Sequence, residues 1–381
     1  MIAYKYKIYR SKRNKKLARM LTTASYIWNH ALALQKRYYS IYGKYISSNR
    51  MQKHIAKLRK NNEYWQELNS QTVQEISQRL DKAYKDFFKK IHKRPPKFKS
   101  RYRFKSIVFK QSGYKLEDNK VIINKIGTFK FHKSRNYGDI SNIRIKRDAV
   151  GDYWLIVTSP ERIEGKVYQK TRKGALVGFD FGLKTFLTGS DESSFESPLF
   201  YREMETEIKK QHRILSKKKR GSKNRTKARK NLARTYRKLD FKRTDYQWKL
   251  AHQLCSNYNF IALETLNIKA MQKLWGKKIS DLSFSSFLVI LKQVADKYGT
   301  QIQQIDKWFP SSKTCNVCGT INKDLTLKDR VWTCKHCGTK LDRDLNASKN
   351  ILRQGYVEFL SSGNSELVQL AMLEESESPG L

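Results

Sequence analysis

Four cysteines stand as two pairs, Cys315-x-x-Cys318 and Cys334-x-x-Cys337, with fifteen residues between the pairs. A two-residue spacer lets one tight turn present both sulfurs to one ion. Two such turns complete a tetrahedral set of four sulfurs, which zinc accepts. Four thiolates leave no open position, so the expected ion is a structural zinc. Gly319 and Gly338 follow the second cysteine of each pair, where knuckle turns often need positive φ. His336 lies inside the second knuckle and is expected to be a loop residue, because the cysteines already fill the set. With 5 Cys and no leader pattern, paired disulfides are not expected. The remaining Cys255 has Leu250, Ala251 and Leu254 as neighbours and reads as a packed, inert thiol.

Three carboxylates suggest a second kind of chemistry. Asp180 closes the apolar run Ala175-Leu176-Val177-Gly178-Phe179, and Glu264 closes Phe260-Ile261-Ala262-Leu263. Asp344 stands at the mouth of a helix read over 346–353. A carboxylate at the edge of a core is costly unless it binds something. Three that converge would suit hard cations, Mg²⁺ or Mn²⁺, and two such ions serve phosphodiester cleavage. Pattern alone leaves their convergence open. It also leaves open whether Asp344 only caps its helix and whether Asp342 takes its place.

The elements that would position these groups read as follows. Ile2, Tyr4, Tyr6 and Ile8 alternate as a short strand. Helical stripes follow through Leu17, Leu21, Ala24, Trp28, Ala31 and Tyr38, and through Val73, Ile76, Leu80, Tyr84 and Phe87. Asn69 or Ser70 is placed to cap the second stripe. Arg94-Pro95-Pro96 is expected to end the helical part. Short strands are read at 107–109, 121–123, 129–131, 143–145 and 153–157, so the segment resembles a small β-barrel interrupted after its first strand by helices. Residues 160–173 read as a linker. Two long helices are read over 203–250 with a break at Gly221-Ser222, then a helix at about 284–298, then a strand region holding Ile302, Ile305 and Trp308. The Ser- and Glu-rich end reads as a mobile tail.

The chain has 381 residues, 79 Lys+Arg, 34 Asp+Glu and a formal net charge of +45. Such an excess opposes compaction through self-repulsion and calls for a polyanion, with nucleic acid the usual one. No apolar run approaches the roughly 20 residues that span a bilayer, and no membrane partner is expected. The basic density peaks at Lys217, Lys218, Lys219, Arg220, Lys223, Arg225, Lys227, Arg229 and Lys230, continuing through Arg234, Arg237 and Lys238; phosphate contact is expected there.

Taken together these residues resemble the TnpB family, the transposon-encoded RNA-guided nucleases ancestral to type V CRISPR effectors. Gly178-Phe179-Asp180-Phe181-Gly182-Leu183-Lys184 resembles its first RuvC motif, Ala262-Leu263-Glu264-Thr265-Leu266-Asn267-Ile268-Lys269 its second, and Asp342-Arg343-Asp344-Leu345-Asn346-Ala347-Ser348-Lys349-Asn350-Ile351-Leu352 its third. Phe309-Pro310-Ser311-Ser312-Lys313-Thr314-Cys315 and Arg330-Val331-Trp332-Thr333-Cys334 resemble the entry and return of its zinc ribbon. Tyr26-Ile27-Trp28-Asn29, Ala83-Tyr84-Lys85-Asp86-Phe87-Phe88 and Pro96-Lys97-Phe98-Lys99-Ser100 are further matches. Phe179, Leu341 and Trp248 depart from the commoner residues.

The resemblance implies an α/β RNase H-like (RuvC) nuclease domain over 166–310 and 341–360, with an inserted four-cysteine zinc ribbon over 311–340. Before it would come a wedge β-barrel (1–10 and 99–165) carrying a helical recognition insert (11–98), and after it a flexible tail (361–381). It assigns the Mg²⁺ or Mn²⁺ ligands and catalytic acids to Asp180, Glu264 and Asp344, and nucleic-acid contacts to Tyr26, Asn29, Lys97 and Lys99. Implied partners are a guide RNA from the transposon end and double-stranded target DNA with a short flanking motif, whose reader is expected within 1–130. The implied location is cytoplasmic, at the nucleoid. The expected activity is RNA-guided DNA cleavage. The alternatives are a cleavage-deficient RNA-guided repressor, a DNA transposase or strand transferase, and an inactive zinc-ribbon RNA-binding protein.

Overall fold

The structure, a computed structural model, describes residues 1–160, 168–171, 174–268, 271, 276, 281–326 and 328–362. The chain divides into two compact units, Met1–Glu164 and Gly165–Leu381. Most of the stretch read as a linker and nearly all of the tail lie outside the described residues. Among the described residues, no helix is long and apolar enough to cross a membrane.

In the first unit, β1 (Ile2–Ile8) buries Tyr4, Tyr6 and Ile8 on one face. Four helices follow: α1 (Asn14–Tyr42), α2 (Ser48–Lys60), α3 (Glu63–Gln66) and α4 (Ser70–Phe88). Six strands complete the unit: β2 (Ser106–Phe109), β3 (Tyr114–Glu117), β4 (Lys120–Ile123), β5 (Gly127–His132), β6 (Asn142–Arg147) and β7 (Tyr153–Ser159). The antiparallel sheet has the order β2-β6-β7-β1-β5-β4-β3. Its outermost strands, β2 and β3, are consecutive in the chain, and the Phe109 and Tyr114 rings at their ends lie 6.3 Å apart. Such a short link between opposite edges requires the sheet to curl, and it is nearly closed as a barrel. β1 pairs with β7 and β5, so the helices are an insertion after the first strand. Helices and sheet share one core.

The cap of α4 is Asn69, whose Oδ1 accepts from the Gln71 N–H at 2.9 Å. That helix stops at Phe88, before the prolines that were expected to end it; Lys90 just beyond takes φ 58°. Helices α2 and α3 were not legible, because α2 buries only Met51 and Ile55 and α3 only Trp65. β3 was missed for a similar reason: none of its four residues is fully buried.

The second unit opens with β8 (Leu176–Phe181), β9 (Thr185–Gly189) and β10 (Ser194–Glu196). Two helices follow, α5 (Phe200–Ser216) and α6 (Lys223–Asn257), then β11 (Phe260–Glu264), α7 (Phe284–Tyr298) and β12 (Gln301–Ile305). The hairpin of β13 (Val331–Thr333) and β14 (Lys340–Asp342) leads directly into α8 (Arg343–Ser361). The sheet order is β10-β9-β8-β11-β12, with β11 parallel to both β8 and β12. Gly221 at φ 85° and the cap from Ser222 to Arg225 N–H make the expected break between α5 and α6. Trp308, expected in the strand region, stands outside β12 and is 76% exposed. The strands β9 and β10 were not anticipated.

Strand alternation decides which face each residue serves. Val177, Phe179 and Phe181 pack with Ile261 and Leu263 against α6 and α7. The opposite face carries Phe260, Ala262 and Ile305 against Ile351 and Phe359 of α8. Gly178 belongs to that second face and allows an unusually close approach: a Cβ there would lie 2.4 Å from Ser348 O and 2.5 Å from Leu352 N.

Candidate active site

Period-2 alternation puts Asp180 on the face of Gly178 and Glu264 on the face of Phe260 and Ala262, both toward α8. The parallel register aligns Leu263 with Phe179, so Glu264 and Asp180 come side by side at the ends of neighbouring strands. Their carboxyls are close enough to hydrogen bond, and Asp344 lies close enough for its charge to act on Asp180. The three acids therefore gather at the carboxyl ends of the parallel strands, where open α/β sheets bind ligands. All three are half-buried.

The choice between Asp342 and Asp344 follows from the start of α8. Asp342 is the cap: its Oδ1 accepts from the N–H of Asp344 at 3.0 Å and of Leu345 at 2.9 Å. Asp344 sits within the first turn, free of capping duty. Its carboxylate is held by two guanidiniums instead, Arg330 Nη1 at 3.0 Å and Arg343 Nη2 at 3.0 Å. Neither arginine was singled out from the sequence. Both lie inside matched motif segments, which was the available signal.

Burial, reinforced by the charges of Glu264 and Asp344, pushes the Asp180 carboxyl well above the usual range. Burial likewise pushes Glu264 up to about 7, against a hydrogen bond from the Phe181 backbone. Two adjacent carboxyls in such a place hold a proton between them. The donors are all oxygen and anionic, the type that a hard divalent cation takes, but among the described residues only the four cysteines stand within metal-sharing distance of one another. A cleft of about 690 Å³ is lined by Lys184, Tyr201, Arg202, Asp281 and Arg330. It meets the acids through Arg330. Asp281 also accepts from Tyr201 N–H at the start of α5 and pairs with Arg243 at 2.6 Å, which ties the α5–α6 pair to the site.

The four cysteines come together as expected, with all sulfurs within 4.8 Å of one another. Cys315 and Cys337 sulfurs are 3.7 Å apart, and those of Cys318 and Cys334 are 3.6 Å apart. Tetrahedral coordination with bonds of about 2.3 Å requires roughly 3.8 Å between sulfurs, so the set fits a metal ion and excludes disulfides. The two knuckles repeat the same pattern, Cys-x-x-Cys-Gly-Thr. Gly319 N–H donates to Cys315 O and Gly338 N–H to Cys334 O, each at 2.9 Å, with φ of 77° and 70° at the glycines. Thr320 and Thr339 place hydroxyls 3.4 and 3.3 Å from the sulfurs of Cys318 and Cys337. Those hydrogen bonds draw both thiols down, Cys318 to about 5, toward the thiolate a metal needs. These threonines were missed, although the repeated pattern could have found them. Burial holds the Cys255 thiol up at about 12, the inert group expected.

Two asparagines of α8 couple the knuckles to the acids. Asn346 Nδ2 donates to Thr314 O at 2.8 Å, and Asn316 N–H donates to Asn346 Oδ1 at 2.9 Å. Asn350 Nδ2 donates to Thr314 O at 2.6 Å and Ser311 O at 2.9 Å. Both are buried. Their spacing of four puts them on one helix face, two and six residues beyond Asp344.

Two family models match parts of the chain between residues 157 and 351. OrfB_IS605, described as "Probable transposase", matches residues 157–274 and so contains Asp180 and Glu264. The Cas12f1-like TNB domain matches 284–351 and contains the cysteines and Asp344. A protein of Streptomyces pristinaespiralis, named provisionally as an RNA-guided DNA endonuclease, is 27% identical over 363 residues, covering 93% of this chain and 89% of its own. TnpB-like protein L79 of Acanthamoeba polyphaga mimivirus is 30% identical over 204 residues, 49% of this chain and 39% of its own. The chain is similar in sequence to TnpB-like proteins and to proteins named as RNA-guided DNA endonucleases. Among solved structures, a Cas12f1–sgRNA–target DNA complex aligns at TM-score 0.55 and 15% identity, over 90% of this chain and 83% of that one. The mini-RNA-guided endonuclease CRISPR-Cas_phi3 aligns at TM-score 0.50 and 10% identity, over 93% and 92%. These two likenesses concern the fold.

The basic residues of the chain divide by what they already touch. Lys217, Lys218, Lys219, Arg220, Lys223, Lys227, Arg229 and Lys230 are exposed around the α5–α6 turn. Arg225 is not equivalent to them: its Nη1 donates to Leu215 O at 2.9 Å and Lys218 O at 2.7 Å, closing the end of α5. In the first unit, Tyr26 and Lys97 are exposed. Asn29 is engaged on both sides of its amide, donating to Lys99 O at 2.9 Å and accepting from Lys99 N–H at 2.8 Å. Lys99 Nζ lies 3.5 Å from the Trp28 ring centre, and burial brings its pKa down to about 8, helped by Arg79.

Proposed function

We propose that this protein is an RNA-guided DNA endonuclease of a transposable element, cutting guide-matched DNA by metal-dependent phosphodiester hydrolysis at the nucleoid. What supports the reading is the hydrogen-bonding proximity of Asp180 and Glu264, with Asp344 near enough for its charge to act on Asp180, in a chain of net charge +45. The sheet order and the acids' position support a RuvC-like, RNase H-type nuclease domain. The sulfur spacing supports structural zinc in a ribbon inserted before α8. The curled sheet and its inserted helices support a wedge and a recognition segment.

Asp180, Glu264 and Asp344 would hold Mg²⁺ or Mn²⁺. Such ions supply Lewis acidity to the attacked phosphate, lower the pKa of attacking water and stabilise the leaving 3′ oxygen. The chain's own part begins with the release of the proton held between Asp180 and Glu264. Arg330 and Arg343 must then give up the Asp344 carboxylate, and their guanidiniums become available to phosphate oxygens.

The exposed lysines and arginines at the α5–α6 turn suit the backbone of guide RNA or target DNA. In the first unit, a cleft of about 920 Å³ lined by Gln71, Gln74, Gln78, Lys82, Asn142 and Arg144 suits base edges of the duplex beside the target. Base pairing with the guide would carry the rest of the specificity.

The test is cleavage of guide-matched DNA with Mg²⁺ by the wild type and by Asp180→Asn. The expected loss on substitution is about a thousandfold or more. Target occupancy without breaks would point to a repressor, and joined strands to a transferase. Equal cutting by the two proteins would reject the site.

A further inference from the structure

We propose that Cys337 is an oxidation site: a hydroperoxide converts its thiolate to a sulfenic acid, and Cys315 closes on it as a disulfide that displaces Asp344. The chemistry at the sulfurs stands apart from the nuclease reading above. Only its consequence for cutting rests on that reading.

The four thiols differ in access. Cys315 and Cys334 are buried, packed with Leu325, Trp332 and Leu341. Cys318 is half-buried, and Cys337 is exposed. Oxidation follows exposure, so an oxidant in solution meets Cys337 first. A sulfur 3.7 Å away belongs to the other knuckle, that of Cys315, and Cys318 faces Cys334 in the same way at 3.6 Å. The steps balance. The Cys337 thiolate attacks one oxygen of the hydroperoxide; an S–O bond forms, the O–O bond breaks, and the second oxygen leaves as hydroxide or alkoxide. The Cys315 thiolate then attacks the Cys337 sulfur; an S–S bond forms, the S–O bond breaks, and hydroxide leaves. Two electrons pass from the sulfurs to the peroxide. Two thiolates of the four remain, too few to keep an ion in a closed tetrahedral set.

Both knuckles are attached to the helix that bears Asp344. The second is continuous with it: β14 runs from the Cys337 turn into the cap and first turn of α8, with Asp344 seven residues after Cys337. The first is tied to α8 by hydrogen bonds. Asn316 N–H donates to Asn346 Oδ1 at 2.9 Å, and Thr314 O accepts from Asn346 and Asn350. A disulfide brings its sulfurs to about 2.05 Å, so the Cys315 and Cys337 sulfurs, now 3.7 Å apart, must approach by about 1.6 Å. That contraction pulls on the start of α8 through both attachments at once. A misplacement near 1 Å at the reacting centre costs about a hundredfold in rate. Oxidation therefore reaches the acids without touching them.

The test uses the full chain loaded with guide RNA and freed of reductant. It is treated with a small excess of hydrogen peroxide, alkylated and mapped by peptide mass spectrometry. The first linkage found should be Cys315–Cys337. A colorimetric chelator should register loss of the metal the protein carries, in step with that linkage. Single-turnover cutting should fall about a hundredfold and return after a dithiol reductant and resupplied zinc. Cys255→Ala should respond as the wild type does. Cys337→His keeps a four-donor set of three sulfurs and one nitrogen and, compared with its own untreated rate, should resist the same dose. The wild-type linkage map decides the proposal even where that variant holds no metal. A first linkage within one knuckle, a Cys315–Cys337 linkage that leaves metal and cutting unchanged, or sensitivity abolished by Cys255→Ala would overturn the proposal. A wild type that cuts nothing would count against the nuclease reading alone, because linkage and metal release need no cleavage.

Discussion

Replacing Gly178 by Ala tests whether the approach of α8 to β8 sets the spacing of the acids. The added Cβ would lie 2.4 Å from Ser348 O, 2.5 Å from Leu352 N and 2.8 Å from Leu352 Cα. All three are backbone atoms, so no side chain can swing aside. Ordinary contact begins at 3.4 Å. The helix must then retreat from the strand by about 1 Å, the difference between ordinary contact and the closest clash. Asp344 lies four residues before Ser348 on the same helix, about 6 Å along its axis, and moves with it, away from Asp180 and Glu264. Metal sites tolerate only about 0.2 Å of error in ligand distance, and a misplacement near 1 Å can cost about a hundredfold in rate. Gly178→Ala should therefore bind guide and target normally, need more Mg²⁺ and cut about a hundredfold more slowly. Overpacking should also lower stability by about 1–3 kcal/mol, a few degrees of melting. Gly299→Ala is the control: it has φ +66° and nothing within 4 Å of its added Cβ, so it should lose stability through backbone strain and keep its cutting rate per folded molecule. The measurements are single-turnover cleavage against Mg²⁺ concentration and thermal melting. Gly178→Ala cutting within threefold of wild type, with unchanged melting, would refute the reasoning.

Mg²⁺ uptake should release protons. With Glu264 raised to about 7 and Asp180 raised as well, Mg²⁺ affinity should climb about tenfold between pH 6 and 8 for one displaced proton, and calorimetry in buffers of different ionisation enthalpy should register it; a flat profile would contradict the shared proton. The same raised carboxyls favour the metal-free fold at low pH, so their contribution is full below the ordinary carboxylate range and declines as pH rises through about 7. Cys318→Ser should lose any metal that the four cysteines hold in the wild type, measured by atomic emission, and lower cutting through the Asn346 and Asn350 contacts, whereas Cys255→Ala should keep the wild-type metal content; full metal content and normal cutting in Cys318→Ser would contradict the coupling. Arg225→Ala should lower melting with little change in the salt dependence of nucleic-acid binding, while Lys227→Ala should reduce the slope of log K against log salt by about 0.7–0.9 and leave melting alone; the opposite pattern would reverse their roles.

Local signals were legible wherever the deciding interaction is short in sequence. Cysteine spacing, knuckle glycines and apolar runs that close on a carboxylate are local, and each appears as expected. Weakly buried elements left no periodic trace: α2 with Met51 and Ile55 alone, and β3 with no fully buried residue, are held by the larger core around them.

Other roles depend on partners distant in sequence, and tertiary structure alone decided them. Asp342 and Asp344 are indistinguishable by spacing until one is seen capping α8 and the other facing Arg330. Arg225 is one basic residue among many until its guanidinium is found on the end of α5. Trp308 reads as a strand residue until β12 ends at Ile305 and leaves the indole in water. The sequence by itself determined which groups stand at the edges of elements, because helix and strand periods are properties of the local backbone. Which edges meet was decided by the register of β8 with β11 and by the backbone contact that Gly178 permits with α8, interactions between segments far apart in the chain.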